Sequence, residues 1–358
     1  MQTEATDWRL PQHRRKVFLD FYEFHLKYRS HPGCVYYLMP YLRQHYGWDT
    51  EEALWFAFLN GNTQHPVTSL LLHQQYPTPS HAGPLLDHFY QHYEQYEFDT
   101  DRRYHKKPMW QAVKGYLELL AGRTQEEFWY SIATGGFTTM WQVATAIPTF
   151  GRLSAFSYLE YVRIMGVPFD CDTLFLDDMS GSKSHRNGLC IVSGQEQYDW
   201  HSSNPSFDGK YSPQLLANLE DTASSLLNET RTRALGEPYA YDVSYFTLES
   251  TLCTYKSWHR PNRRYPNVYN DMLFNRIRKS ETNWPDKDLS IFWRARADCL
   301  PAYLRLEEMP HDPGLSPNKQ NHYRLTGEVI MMDKDYPEYA NAFNRAVDNG
   351  ELPRRKDT

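Results

Sequence analysis

A chain of 358 residues with 41% hydrophobic and 15% aromatic content holds enough apolar material for one large domain or two. Its net charge of −6 excludes a protein that is basic over its whole surface, so any nucleic-acid contact must use a local patch. The first residues are polar and no run of about 18 apolar residues occurs, so neither a signal peptide nor a membrane-spanning helix is expected.

In chain order, residues 1–13 read as a loose arm. Val17, Phe18, Phe21, Phe24 and Leu26 predict a helix over Arg14 to Tyr28, broken by His31-Pro32-Gly33. A second helix is expected from Val35 to Tyr46, ended by Gly47. Asp49 to Glu52 cap the next, Leu54 to Leu59. Asn60-Gly61-Asn62 is expected to interrupt it before helix resumes from Val67 to Gln75. Pro77, Pro79, Gly83 and Pro84 read as a linker, followed by a polar-aromatic surface helix from His88 to Tyr96. Pro108 to Leu120, Thr124 to Ile132 and a run after Gly135-Gly136 follow as helices. Further on, Gln195 to Tyr211 is polar and turn-rich. Gln214 to Leu227 and Val243 to Tyr255 are amphipathic helices. From Pro301 proline and charge increase, and the last residues read as a disordered tail. Strand signals are few, so the fold is expected to be mainly α. Three regions are expected: an N-terminal helical region over 1–135, a catalytic region over 136–300 and a partly disordered extension over 301–358. Five scattered cysteines without a C-x-x-C pair point to a reducing cytoplasm and to no structural zinc.

The chemistry concentrates between Trp141 and Leu189. An amphipathic run stops at Ile147-Pro148-Thr149-Phe150-Gly151. Pro148 cannot continue a helix, and Gly151 supplies the freedom a tight turn needs. A second helical run follows from Leu153 to Met165. Such a hairpin is either ordinary helical packing or a phosphate cradle at the second helix's N-terminus. Next comes a polar loop, Asp170 to Asn187. Asp170, Asp172, Asp177 and Asp178 read as metal ligands, as caps or as a general base. Ser182, Lys183, Ser184, His185 and Arg186 follow Gly181. This set is either a solvated loop or a grip for a pyrophosphate or phosphodiester. Between Lys256 and Lys279 seven Lys or Arg stand against one acid, Asp271, with Trp258, Tyr265 and Tyr269 interleaved, as in a groove that tracks a nucleic-acid backbone. Asn60, Thr63 and Gln64 are either helix caps or readers of the edge of an extruded pyrimidine.

The stretch Ile147-Pro148-Thr149-Phe150-Gly151-Arg152-Leu153-Ser154-Ala155, followed by Asp172-Thr173, resembles the helix-hairpin-helix DNA glycosylase superfamily. That resemblance implies a helix-hairpin-helix glycosylase-like fold with an N-terminal helical extension, and a catalytic role for Asp172. Thr149 stands where that family has its first glycine, which implies a looser turn. Leu153 stands where lyase members have the Schiff-base lysine, which argues against strand cleavage.

A broader resemblance rests on Phe21 to His25, Trp55 to Gln64, Ser180 to Gly188 and Glu249 to Asp271. Over most of residues 18–275 the chain resembles the phage alpha-glutamyl/putrescinyl thymine pyrophosphorylases, also called amino-acid:DNA transferases. The resemblance implies an enzyme without a cofactor. It acts on double-stranded DNA carrying 5-hydroxymethyluracil activated as a pyrophosphate ester, and replaces the pyrophosphate with an amino acid or polyamine. Asp172 is then the expected base, with Glu249 second and Lys183 a further catalytic candidate. Ser182, Lys183, Ser184 and Arg186 would hold pyrophosphate. Asn60, Thr63 and Gln64 would hold the flipped base. Gly151, Arg152, Lys256, Arg263, Arg264 and Tyr265 would hold the DNA backbone. The alternatives are a base-excising glycosylase and a non-catalytic DNA-binding protein.

Overall fold

Asp49 opens a capping box: its carboxylate accepts from Glu52 N at 2.9 Å, and its own N–H donates to Glu52 Oε2 at 3.1 Å. Thr124 and Glu127 repeat the arrangement with both bonds at 3.1 Å. Each box satisfies two N–H groups that a helix start would otherwise leave unpaired. Both helices begin where the sequence signals place them.

The computed structural model describes residues 6, 10–31, 34–179, 181, 183–200, 206–259, 272–305, 338–339 and 349. Its helices are α1 (Arg14–Tyr28), α2 (Val35–Tyr46), α3 (Thr50–Thr63), α4 (Pro66–Gln75), α5 (Ala82–Gln91), α6 (Met109–Leu120) and α7 (Gln125–Ala133). They continue with α8 (Gly136–Ala146), α9 (Arg152–Ile164), α10 (Lys183–Val192), α11 (Pro213–Arg233), α12 (Tyr245–Tyr255), α13 (Met272–Asn283) and α14 (Ser290–Cys299). No strand occurs among the described residues, so the fold is mainly α. Among the described residues no helix is long and apolar enough to cross a membrane.

Three helix boundaries are corrected. α3 does not stop at Asn60 but runs to Thr63, because the polar side chains find partners inside the fold. Asn62 Nδ2 donates to Phe58 O at 3.1 Å, and Asn60 Oδ1 accepts from Ser69 Oγ at 3.3 Å. Gly83 and Pro84 belong to the first turn of α5, where proline is tolerated, so the surface helix begins earlier than His88 and ends at Gln91. The polar loop ends sooner than expected, since α10 begins at Lys183. The Pro-rich extension lies almost wholly outside the described residues.

By its contacts the chain divides into two units, each assembled from separated segments. Unit 1 comprises Met1–Cys34, Thr173–Met272 and Cys299–Thr358; unit 2 comprises Val35–Asp172 and Leu273–Asp298.

In unit 1, α1, α10, α11 and α12 enclose a core that includes Phe18, Phe21, Leu189, Leu219, Leu252 and Tyr255. The Tyr22 hydroxyl donates to Ser244 O at 3.0 Å, tying α1 to the start of α12. The backbones of α10 and α12 meet at Gly188: a Cβ there would stand 2.5 Å from Leu252 O. Only glycine allows that approach.

In unit 2, α3 is buried from Ala53 to Thr63 and packs on α4, α7 and α9. Phe58 stacks on Tyr116 with ring centroids 4.0 Å apart. α8 and α9 form the expected hairpin. Its turn is seated against α6, where Gly115 makes room for Pro148: a Cβ at Gly115 would fall 2.2 Å from Pro148 Cδ. The turn is not loose. Thr149 takes φ +71°, the conformation glycine would supply, while Gly151 is extended with φ −83°. Arg102 holds the strained residue, donating from Nη1 to Thr149 O at 2.6 Å and from Nη2 to Thr149 Oγ1 at 3.0 Å. Burial pushes the Arg102 guanidinium down to about 10, which leaves it cationic at neutral pH.

Candidate active site

The first turns of α10 carry the polar cluster of unit 1. The helix spacing that sends Leu189 and Cys190 into the core also turns His185 and Arg186 inward, four residues earlier. His185, Arg186 and Asn187 are accordingly buried, while Lys183 stays exposed.

His185 bridges two elements. Its Nε2 lies 2.8 Å from Leu174 O and its Nδ1 lies 2.9 Å from Glu249 Oε1 on α12. A carbonyl oxygen only accepts, so Nε2 carries a hydrogen. Nδ1 is then turned to the Glu249 carboxylate. Glu249 is partly exposed on its side chain (16%), whereas His185 is enclosed behind it.

Arg186 is fully buried, yet only part of its guanidinium is used. Nη1 donates to Leu176 O at 2.7 Å and to Asp178 O at 3.3 Å. Nε and Nη2 have no hydrogen-bond acceptor among the described residues. Those two nitrogens form one edge of the guanidinium, the edge that grips a carboxylate or phosphate with two parallel bonds. The Tyr211 ring lies 4.5 Å from the guanidinium carbon. Burial raises the Tyr211 phenol to about 12, against the opposing pull of the Arg186 charge and of its approach to the Tyr211 hydroxyl, which is too poorly aligned to satisfy Nε or Nη2, so the phenol stays neutral. A buried cation with an unsatisfied fork is costly to an empty site and favourable to an anion.

Two further cations stand at the first turn of α10. Lys256 Nζ donates to Ser184 Oγ and lies 3.6 Å from Cys253 Sγ. Lys183 Nζ sits 4.2 Å over the Trp200 ring. Trp200 is held by Asn187, which donates from Nδ2 to Trp200 O and accepts from Trp200 N, both at 3.0 Å. The α10 basic residues also shape the acidic loop before them. They bind its carbonyls at Leu174, Leu176 and Asp178, while Asp170 pairs with Arg163 at 3.4 Å.

The structure thus pairs Ser184 with Lys256 and His185 with Glu249, across two segments that the sequence had nominated, while Arg186 makes its contacts with Leu176, Asp178 and Tyr211. The signal for His185 was present: it falls in register with Leu189 and Val192, a period hidden by reading the stretch as loop. Asp172 is exposed and is the last residue of its segment in unit 2. Asn60, Thr63 and Gln64 are buried in unit 2. Thr63 Oγ1 lies 2.7 Å from Ser69 Oγ, and Gln64 Oε1 accepts from Thr100 Oγ1 at 2.6 Å. Gly151 caps α9 without a side-chain bond, and Arg152 opens the helix. Ser182, Arg263, Arg264 and Tyr265 lie outside the described residues. In the distal part of the basic run, within unit 2, Arg276 pairs with Asp99 at 2.5 Å and Lys279 with Glu97 at 2.8 Å.

A family model described as amino acid:DNA transferase matches residues 35–264. The chain is similar to a serinyltransferase of Salmonella phage ViI, with 26% identity over 299 residues, covering 77% of this chain and 71% of the relative. No solved structure matches.

Proposed function

The chain belongs to the amino acid:DNA transferase family, and from that premise we propose that it joins an amine to an activated thymine derivative in DNA. The substrate in this reading is 5-hydroxymethyluracil esterified with pyrophosphate. The amine is an amino acid, as the name of the phage relative suggests, with a polyamine such as putrescine as the alternative.

The bonds balance simply. The incoming ammonium loses a proton, its nitrogen attacks the 5-methylene carbon, and the carbon–oxygen bond to pyrophosphate breaks with its electron pair leaving on the pyrophosphate. The glycosidic bond stays intact. A base inside a duplex cannot present its methylene to a buried site, so the nucleotide is flipped out, at a cost of a few kcal/mol.

The observation that carries this reading is Arg186, a buried guanidinium with its two-pronged edge unsatisfied. Pyrophosphate departs as a polyanion, and fixed cations stabilise the charge that develops on it. Lys183, Ser184 and Lys256 would join Arg186 in holding it, with Ser182 as a further hydroxyl. Glu249 is the base we assign, because its carboxylate is reachable while His185 holds it from behind. His185 is a positioning residue in this scheme. Asp172 is the second candidate for the same proton. Gly151 and Arg152 on the α9 start, with Arg263, Arg264 and Tyr265, remain candidates for the DNA backbone. Asn60, Thr63 and Gln64 remain candidates for the flipped base only if the buried set around them opens.

The test is direct. Duplex carrying the pyrophosphorylated base is incubated with single amino acids and with putrescine, then digested to nucleosides and weighed by mass spectrometry. A nucleoside gaining the amine, with pyrophosphate released, is the expected product. Free base would point instead to a glycosylase, the reading the α8–α9 hairpin favours. Glu249→Gln should abolish transfer and keep DNA binding. Full activity in that variant together with loss in Asp172→Asn would move the base to Asp172.

A further inference from the structure

A second basic-aromatic stretch lies in unit 2, apart from the run between Lys256 and Lys279. Residues Arg102-Arg103-Tyr104-His105-Lys106-Lys107 hold four Lys or Arg and no acid in six positions, in a chain of net charge −6. The segment is not a floppy loop. Thr100–His105 forms a 3-10 turn, and both of its ends are tied down. On one side Arg102 Nε donates to Asn62 O at 2.9 Å and Nη1 to Thr149 O at 2.6 Å, while Asp101 Oδ2 accepts from Ser154 Oγ at 3.1 Å on the first turn of α9. On the other side the Tyr90 hydroxyl donates to Lys107 O at 2.8 Å, and Lys106 Nζ rests 4.1 Å from the Tyr93 ring centre.

With the backbone held, the remaining side chains face outward. Tyr104 is 81% exposed and Trp110 46%; Arg103 and Lys107 are exposed as well. The nearby carboxylates are mostly engaged elsewhere. Asp99 is paired with Arg276, Glu97 with Lys279, and Asp101 with the Ser154 hydroxyl; Glu94 is an exposed acid that acts on Lys106. A tyrosine left in water between cations, on an anchored turn, has the chemistry of a surface that stacks a base and neutralises phosphates. The anchor matters too, since Arg102 and Asp101 join this turn to the hairpin at the start of α9.

We infer that Arg103, Tyr104, Lys106, Lys107 and Trp110 form a docking surface for the DNA duplex on unit 2, continuous with the α8–α9 hairpin. Arg103 and Lys107 neutralise phosphates, and Tyr104 wedges its ring against a base step of the duplex. The partner is duplex DNA because the cations are interleaved with exposed rings and because the family acts on DNA. The inference shares that premise but not the transfer chemistry.

The experiment therefore uses unmodified duplex of about two helical turns, fluorescein-labelled, with no amine present, followed by anisotropy between about 50 and 200 mM salt. Arg103→Ala with Lys107→Ala should weaken binding about tenfold or more, and the slope of log K on log salt should fall by about two, near 0.9 for each phosphate no longer neutralised. Tyr104→Ala should weaken binding about five- to tenfold while the salt slope stays put. Lys210→Ala, on unit 1 and paired with Asp208, serves as the charge control. Circular dichroism checks that each variant is folded. Unchanged affinity and slope in the double variant, or a loss no larger than the control's, would overturn the inference and leave the transfer reaction untouched. Normal duplex binding together with no transfer to activated DNA would overturn the proposed reaction and leave this surface standing.

Discussion

At the scale of single residues, the informative groups are those whose bonding is incomplete or shared. Arg186 uses Nη1 to hold the Leu176 and Asp178 carbonyls and leaves Nε and Nη2 without acceptors among the described residues. A lysine there would keep the charge and lose the fork. Arg186→Lys is therefore expected to weaken inhibition by added pyrophosphate about tenfold, while binding to unmodified duplex changes little. Titrating pyrophosphate against the transfer rate measures this. An unchanged inhibition constant in a folded variant would remove Arg186 from the anion site. His185 is the converse case, a side chain saturated on both nitrogens. Its carbonyl partner requires Nε2 to donate, which leaves Nδ1 to hold the Glu249 carboxylate in place.

At the scale of elements, glycine and arginine decide how closely helices approach. Gly188 brings α10 and α12 together, so that Ser184 meets Lys256 and His185 meets Glu249. The added methyl of Gly188→Ala would meet backbone, which cannot swing away. We expect a loss of about 1–3 kcal/mol in stability and a larger proportional loss of transfer than of DNA binding. Denaturant unfolding and single-turnover transfer together test this; a variant as stable and as active as the parent would mean that the two helices are not in register as described. The α8–α9 hairpin shows the same logic in unit 2. The strain that glycine would have relieved at position 149 is borne by threonine, and a buried arginine compensates it.

At the scale of the whole molecule, buried neutral histidines link stability to pH. Burial pushes His25 and His65 down to about 3 and His73 to about 4, from an ordinary value near 6.5. Between those limits the unfolded chain binds protons that the folded chain refuses. Stability is thus complete above about pH 6.5 and declines as pH falls toward 4, by up to about 1.4 kcal/mol per pH unit for each histidine. Thermal unfolding midpoints across this window should slope downward on the acid side. His65 caps α4 by accepting from Thr68 N at 3.2 Å. His65→Asn keeps a good N-cap, removes one titrating group and should give a shallower slope. A midpoint indifferent to pH would show that these side chains are open to water.

The sequence alone determined the mainly helical class, most helix starts and the hairpin, because caps, prolines and 3.6-residue periods act over a few neighbours. It also carried the residues of the candidate site, in two stretches about 65 positions apart. Only the tertiary structure decided that α10 begins at Lys183, that His185 and Arg186 turn inward, and that Glu249 meets His185 and Lys256 meets Ser184. It alone decided that α3 runs through Asn60-Gly61-Asn62 and that Arg102 closes the Thr149 turn. The reason is common to all of these. A polar residue reads as loop or surface until a partner distant in the chain satisfies it, and partners of that kind are chosen by packing, which local sequence does not encode.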